Sequence, residues 1–349
     1  MQKYLIVGDV HFSQYSSIVN RRGKKYSCRL ENLIECLNWV QDFSREQNID
    51  KEIYLGDFFE RPSLEAEEIT ALQEINWNDK PKTFLVGNHD SNISTLDFSS
   101  TKIFEFINNS TVVSSPMNEN INDNITFTYI PYIIPTEDMS IHEYMRWSCK
   151  NVIFAHEDLR GLSYGKYVTS TGFDVKEIAK GCTLFLDGHL HNGCKIGDNI
   201  ILVGNLTGQN FTEDANLYKH SVYILTIDDS GYNITLDRYD VPCAMNFYKF
   251  KINTLEDLEQ LKSLTNNDVV SVTCNTKYFV ECKELIESLD LMGSRINIFY
   301  ESDGHDQSEE SVDFTVRDHI QQFINFVRAN IDDSKALEEE LSLLGGGLN

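Results

Sequence analysis

Five short apolar runs recur through the first part of the chain, at residues 4–7, 53–55, 83–86, 152–155 and 183–186. Each is β-prone, too short for a helix, and ends in a cluster of Gly, Asp, Asn or His, so each predicts a buried strand. Between the first two, Leu30, Leu33, Ile34, Leu37, Trp39 and Val40 fall at near-helical spacing. That spacing predicts a crossover helix lying on a mainly buried sheet. Later, residues 221–227 and 233–240 alternate apolar and polar positions around DDSGYN, which predicts a hairpin closing the sheet system.

The pattern changes at Val241, Pro242 and Cys243, so residues 1–243 are expected to form one α/β layered domain. Residues 244–303 alternate strand-like and helix-like runs and predict a small α+β unit. Residues 304–312 are acidic and poor in apolar side chains, the composition of a flexible linker. Beyond it, in 313–349, Val316, Ile320, Phe323, Ile324 and Val327 sit at helical spacing and predict one amphipathic helix. Such an apolar stripe past a linker cannot bury itself alone, which points to a docking helix, the alternative being that it folds back on its own domain.

In layered α/β folds the polar residues at the carboxyl ends of strands converge on one crevice. Here these are Gly8-Asp9-Val10-His11, Gly56-Asp57, Gly87-Asn88-His89-Asp90, His156 and Gly188-His189-Leu190-His191. Asp9 and Asp57 bring hard oxygens, His11, His156, His189 and His191 bring borderline nitrogens, and Asn88 brings a neutral carbonyl. A pair of divalent cations acting on a phosphate ester needs that mixture. Mixed oxygen and nitrogen donors suit Mn, Fe or Zn better than Ca. Taken singly, a Gly-Asp is usually a turn and a lone His usually a hydrogen-bonded polar residue. Five such clusters in order, each after a strand-like run, outweigh that reading.

Composition narrows the picture further. A formal charge of −24 opposes unaided nucleic-acid binding, because phosphate neutralisation by Lys and Arg supplies most of the non-specific affinity. The eight cysteines are scattered without a C-x-x-C pair, as expected of reduced thiols. No run approaches a membrane span or a secretory leader, so a cytoplasmic protein with no membrane partner is expected.

The five clusters resemble the calcineurin-like metallophosphoesterase superfamily, whose motifs run GDxH, GD, GNH(D/E), H and GHxH. The resemblance implies a β-sandwich core flanked by helices. It also implies one ion held by Asp9, His11, Asp57 and His191 and another by Asp57, Asn88, His156 and His189, with Asp57 bridging. His89 would then stabilise the phosphorane charge or protonate the leaving oxygen, oriented by Asp90. Protein phosphatases of the superfamily continue the second motif as GDxVDRG, whereas this chain reads GDFFERPS over 56–63. That segment, with YIPYIIP at 129–135, is similar to the SbcD and meiotic-recombination nuclease family, and Glu60 points to its bacterial or phage branch.

The resemblance implies a Mn-dependent 3′ to 5′ exonuclease and single-strand or hairpin endonuclease, in a 2:2 complex with an SbcC-type ATPase. Residues 244–303 would then cap the DNA, and the stripe from Val316 to Val327 would dock on the ATPase. Arg21, Arg22, Lys24, Lys25 and Arg29 form a basic cluster expected to hold a DNA backbone near the metals, with Arg61 a further candidate, the alternative being a solvated charged loop. The alternatives are a stand-alone phosphodiesterase or phosphatase acting on a small ester, and a non-catalytic tether.

Overall fold

The computed structural model describes residues 1–299 except 17, 20, 93, 94, 147, 148, 165 and 166. The chain divides into two units, Met1–Tyr300 and Glu301–Asn349. The linker expected over 304–312 and the helix carrying Val316, Ile320, Phe323, Ile324 and Val327 therefore lie outside the described residues.

Two six-stranded sheets make the body of the first unit. The first contains β1 (Gln2–Val7), β2 (Lys51–Tyr54), β3 (Lys82–Leu85), β4 (Ser110–Val113), β15 (Ser221–Ile227) and β16 (Ile234–Asp240), in the order β16-β15-β1-β2-β3-β4. The second contains β5 (Met117–Asn120), β6 (Ile125–Ile130), β7 (Lys150–Ala155), β12 (Leu184–Asp187), β13 (Cys194–Ile196) and β14 (Ile200–Leu202), in the order β13-β14-β12-β7-β6-β5. Between β7 and β12, β8 (Leu159–Arg160) pairs with β11 (Phe173–Asp174), and β9 (Ser163–Tyr164) with β10 (Tyr167–Val168). In the first sheet β1 to β4 run parallel and β15 and β16 close one edge antiparallel, the hairpin the alternation predicts.

Period-two alternation decides what each strand buries. Tyr4 and Ile6 of β1 face the second sheet and meet a core containing Phe127, Tyr129, Phe154 and Leu186. Leu5 and Val7 face the other way, onto Leu30, Leu33, Leu37 and Val40 of helix α1 (Cys28–Glu46). Burial on both faces explains why the parallel strands read as continuous apolar runs. Helix α1 begins where Ser27 caps it by accepting from Leu30 N, and it runs well past the stripe that predicts it. The outer face of the second sheet is covered by a third cluster including Ile141, Phe173 and Ile178, the last from α3 (Val175–Gly181). The result is a β-sandwich between helical and loop layers, mixed α/β as expected. With α2 (Ala66–Leu72) and α4 (Phe279–Ser288), only four α-helices occur among the described residues.

A third, parallel sheet follows, made of β17 (Asn246–Ile252), β18 (Asp268–Asn275) and β19 (Gly293–Phe299) around its own core. The first crossover, 256–263, is a 3-10 helix rather than the α-helix its pattern suggests, and the second is α4. Met245, Phe247 and Val269 of this part pack on Val19 in the loop after β1, which seats the small sheet beside the strand ends described next.

Candidate metal centre

All five polar clusters meet at one end of the sandwich, on loops leaving β1, β2, β3, β7 and β12. The loops are laced together before any side chain reaches the centre. Asp57 O accepts from Val10 N (3.1 Å) and His11 N (2.9 Å), and Asp57 Oδ1 accepts from His89 N at 2.8 Å. Asp9 Oδ1 accepts from His189 N at 3.0 Å, tying the first sheet to the second. Two close approaches demand glycine: a Cβ on Gly87 would lie 2.2 Å from Asp57 Oδ1, and one on Gly188 would lie 2.6 Å from Asp9 Oδ1. His11, Asp57 and His189 hold positive φ angles of 49°, 44° and 63°. Non-glycine residues adopt that region rarely, and chiefly where surrounding structure enforces it for function.

Three groups of potential ligating atoms result among the described residues, each confined within 4.8 Å: Asp9, His11 and His191; Asp57, His156 and His189; and His11, Glu60 and His89. In the first, His11 Nε2 and His191 Nε2 face each other at 3.1 Å, with Asp9 Oδ2 3.8 Å from the former. In the second, Asn88 Oδ1 lies 3.0 Å from both His156 Nε2 and His189 Nδ1, and Asp57 Oδ2 lies 3.2 Å from His156 Nε2. Of the seven expected ligand positions, Asp9, His11 and His191 meet in the first group, and Asp57, His156 and His189 meet in the second with Asn88 beside them. Asp57 joins the second group through its carboxylate, and its backbone oxygen braces the loop of the first by accepting from Val10 N and His11 N.

The residues fit a pair of divalent ions. Asp9 Oδ2 is fully buried without a hydrogen-bond partner, which is costly unless a cation satisfies it. Burial disfavours the His156 imidazolium, yet Asp57 with Asp9 and Asp187 pushes its pKa up to about 10. For Asp57 the reverse holds: burial opposes its charge, but His156, His11 and His89 hold its carboxyl well below the usual range. The pocket therefore gathers negative charge that calls for positive charge, and deprotonated imidazoles with hard oxygens are what a transition-metal ion takes. Every histidine also keeps its outer nitrogen near an acceptor: His156 Nδ1 near Leu55 O at 2.8 Å, His189 Nε2 near Asp158 Oδ1 at 3.3 Å, His11 Nδ1 near Glu60 Oε2 at 3.0 Å and His191 Nδ1 near Glu213 Oε1 at 3.7 Å. The Leu55 carbonyl orients the His156 ring by a hydrogen bond, and the three carboxylates place negative charge behind the other rings.

Two sequence-based roles need correction. Asp90 does not orient His89: its carboxylate accepts from Phe58 N, Phe59 N and Gly87 N, because it is buried beneath the turn and stitches the second motif to the third. Burial and the nearby Asp57 push the Asp90 carboxyl up to about 7. His89, 39% exposed, instead bonds Glu60 O through Nδ1 at 3.0 Å. Arg29 is not a surface cation. It is buried at the start of α1, where its guanidinium donates to Gly208 O (2.8 Å) and His11 O (3.4 Å). The other basic positions are largely engaged: Arg21 with Asp290 and Leu291 O, Arg22 with Glu67, Lys25 with Glu74, and Arg61 with Glu68 and the Tyr15 ring. Lys24 is exposed. Asp158, Glu213 and Gln209 escaped the sequence reading; only Asp158, two residues after His156, had a positional signal.

Fold and site together define a metal-dependent phosphoester hydrolase. Residues 2–217 match the model of the calcineurin-like phosphoesterases, and the chain belongs to that family. Among solved structures it is similar to a dimetal phosphatase from Danio rerio, at 11% identity over 68% of this chain and 96% of that one, with a TM-score of 0.42. No curated protein matches. Among the described residues no helix is long and apolar enough to cross a membrane.

Proposed function

We propose that this chain is the Mn-dependent nuclease subunit of an SbcC/SbcD-type complex that processes DNA ends. The observation that carries the reading is the segment GDFFERPS, which departs from the protein-phosphatase pattern. Phe58 and Phe59 sink into an aromatic cluster with Phe84 and Phe104, and the next residue, Glu60, is thereby delivered between His11 and His89. The charge balance supports a partner. With −24 overall, and with Arg21, Arg22 and Lys25 of the basic cluster already facing carboxylates, an ATPase that grips the duplex completes the reading.

Bound divalent ions would lower the pKa of a water and offset charge gathering on the phosphate. Asp9, His11, Asp57 and His191 would hold one ion, and Asp57, Asn88, His156 and His189 the other. A backbone carbonyl only accepts, so His89 keeps its hydrogen on Nδ1, toward Glu60 O, and presents Nε2 outward. In the imidazolium form that Nε2–H donates to the leaving oxygen, with the Glu60 carboxylate, 3.8 Å from Nδ1, supporting the charge.

The test is Mn-dependent cleavage of end-labelled linear DNA and of bis-p-nitrophenyl phosphate, for the wild type and His89→Ala, with and without an SbcC-type ATPase. DNA shortening that needs His89 and rises with ATPase and ATP is the expected result. Turnover of the small diester with DNA intact in every mixture would replace the nuclease reading with the stand-alone phosphodiesterase. No turnover of either would leave a tether.

A further inference from the structure

Outside the ligand sets, one side-chain network links Glu60 to Glu213 behind the histidines. Glu213 is buried and accepts from Gln209 N through both oxygens (3.2 Å each) and from Asn205 Nδ2 at 2.9 Å, while Oε1 lies 3.7 Å from His191 Nδ1, an ion-pair rather than a hydrogen-bond distance. The Gln209 side chain then donates from Nε2 to Glu60 Oε2 at 2.6 Å, and that same oxygen lies 3.0 Å from His11 Nδ1. Glu60, Gln209 and Glu213 thus form a continuous arch behind the two histidines of the first group. The second group is backed differently: His156 leans on the neutral carbonyl of Leu55, and only His189 has a carboxylate, Asp158, behind it.

We infer that Glu60 and Glu213, joined through Gln209, are positioning residues that hold His11 and His191 as one unit and make the first site the tighter of the two. A carboxylate behind a ligating imidazole adds negative charge toward the cation and raises the ring's donor strength. The first site has two such carboxylates and the second has one, so the two ions bind unequally. The inference rests on the two-metal reading of the site and is independent of the substrate.

Titration calorimetry of Mn into the chelator-stripped full chain, with no nucleic acid present, separates it from the nuclease proposal. Two binding steps are expected. Glu213→Gln should weaken the tighter step by about 10- to 100-fold and spare the weaker one, and Asp158→Asn should do the opposite. Glu60→Gln, at a side chain one-third exposed and so safer for folding, should reproduce the Glu213→Gln effect, with circular dichroism confirming the fold. The inference is overturned if Glu60→Gln leaves the tighter step unchanged, or if it and Asp158→Asn weaken the same step.

Discussion

The two six-stranded sheets contribute to the same centre by different means. The first sheet delivers Asp9, His11, Asp57 and Asn88 on loops woven together by backbone hydrogen bonds and by the buried Asp90 carboxylate, above a bed of Phe58, Phe59, Phe84 and Phe104. The second delivers three imidazoles, His156, His189 and His191, whose outer nitrogens face Leu55 O, Asp158 and Glu213. The first end is therefore held mainly by main chain and packing, the second by partners at the outer ring nitrogens, one main-chain carbonyl and two carboxylates. Neither alone assembles a two-ion site, which makes the sandwich core itself a requirement of the chemistry.

The largest expected effect comes from Asp57, the residue proposed to serve both ions. Asp57→Asn should lower Mn-dependent kcat/KM on a small diester by about 10³-fold, and near-wild-type turnover would break the shared-ligand assignment. Next, Phe84→Ala should cost about 3–5 kcal/mol in urea unfolding, since Phe84 is buried and stacks on Phe104 at 4.0 Å. A cost below about 1 kcal/mol would show that packing does not hold the first-sheet end.

The two groups of residues also differ in what the sequence exposes. Strand runs and the Gly-Asp, Gly-Asn-His-Asp and Gly-His-x-His clusters are local, so the sandwich core and the convergence of its strand ends were legible. The partners behind the histidines were not, because Glu213 and Gln209 reach His191 and Glu60 only after the chain has turned back over the site. Arg29 misled for a related reason. In sequence it belongs to a basic run, but the apolar stripe that begins at Leu30 rotates it onto the buried face of α1. The 3-10 crossover at 256–263 shows the limit of periodicity, which does not separate closely spaced helical forms.

A pH series sharpens the contrast between the ends. The His156 pKa is raised from 6.5 to about 10 in the metal-free fold, so its contribution to stability is full below about pH 6.5 and is lost as pH rises through about 10. Urea unfolding of chelator-stripped protein at rising pH should show that loss, and His156→Gln should flatten it. Conversely, Mn must displace the proton, so Mn binding should tighten as pH rises toward 10 and release protons, read as a dependence of calorimetric enthalpy on buffer. Unchanged affinity over that range would contradict the charge argument. The smallest effect is expected at Arg22, whose partner is Glu67 rather than a ligand: Arg22→Ala should change the slope of log DNA affinity against log salt by less than about 1. A full unit would restore Arg22 as a backbone contact.

Crystals grown with Mn and measured at the metal's absorption edge test the central claim most directly. The account predicts two anomalous peaks, one among Asp9, His11 and His191 and one among Asp57, Asn88, His156 and His189, with Asp57 reaching both and the first peak the more fully occupied at limiting Mn. A single peak at saturating Mn, or peaks away from these side chains, would contradict it.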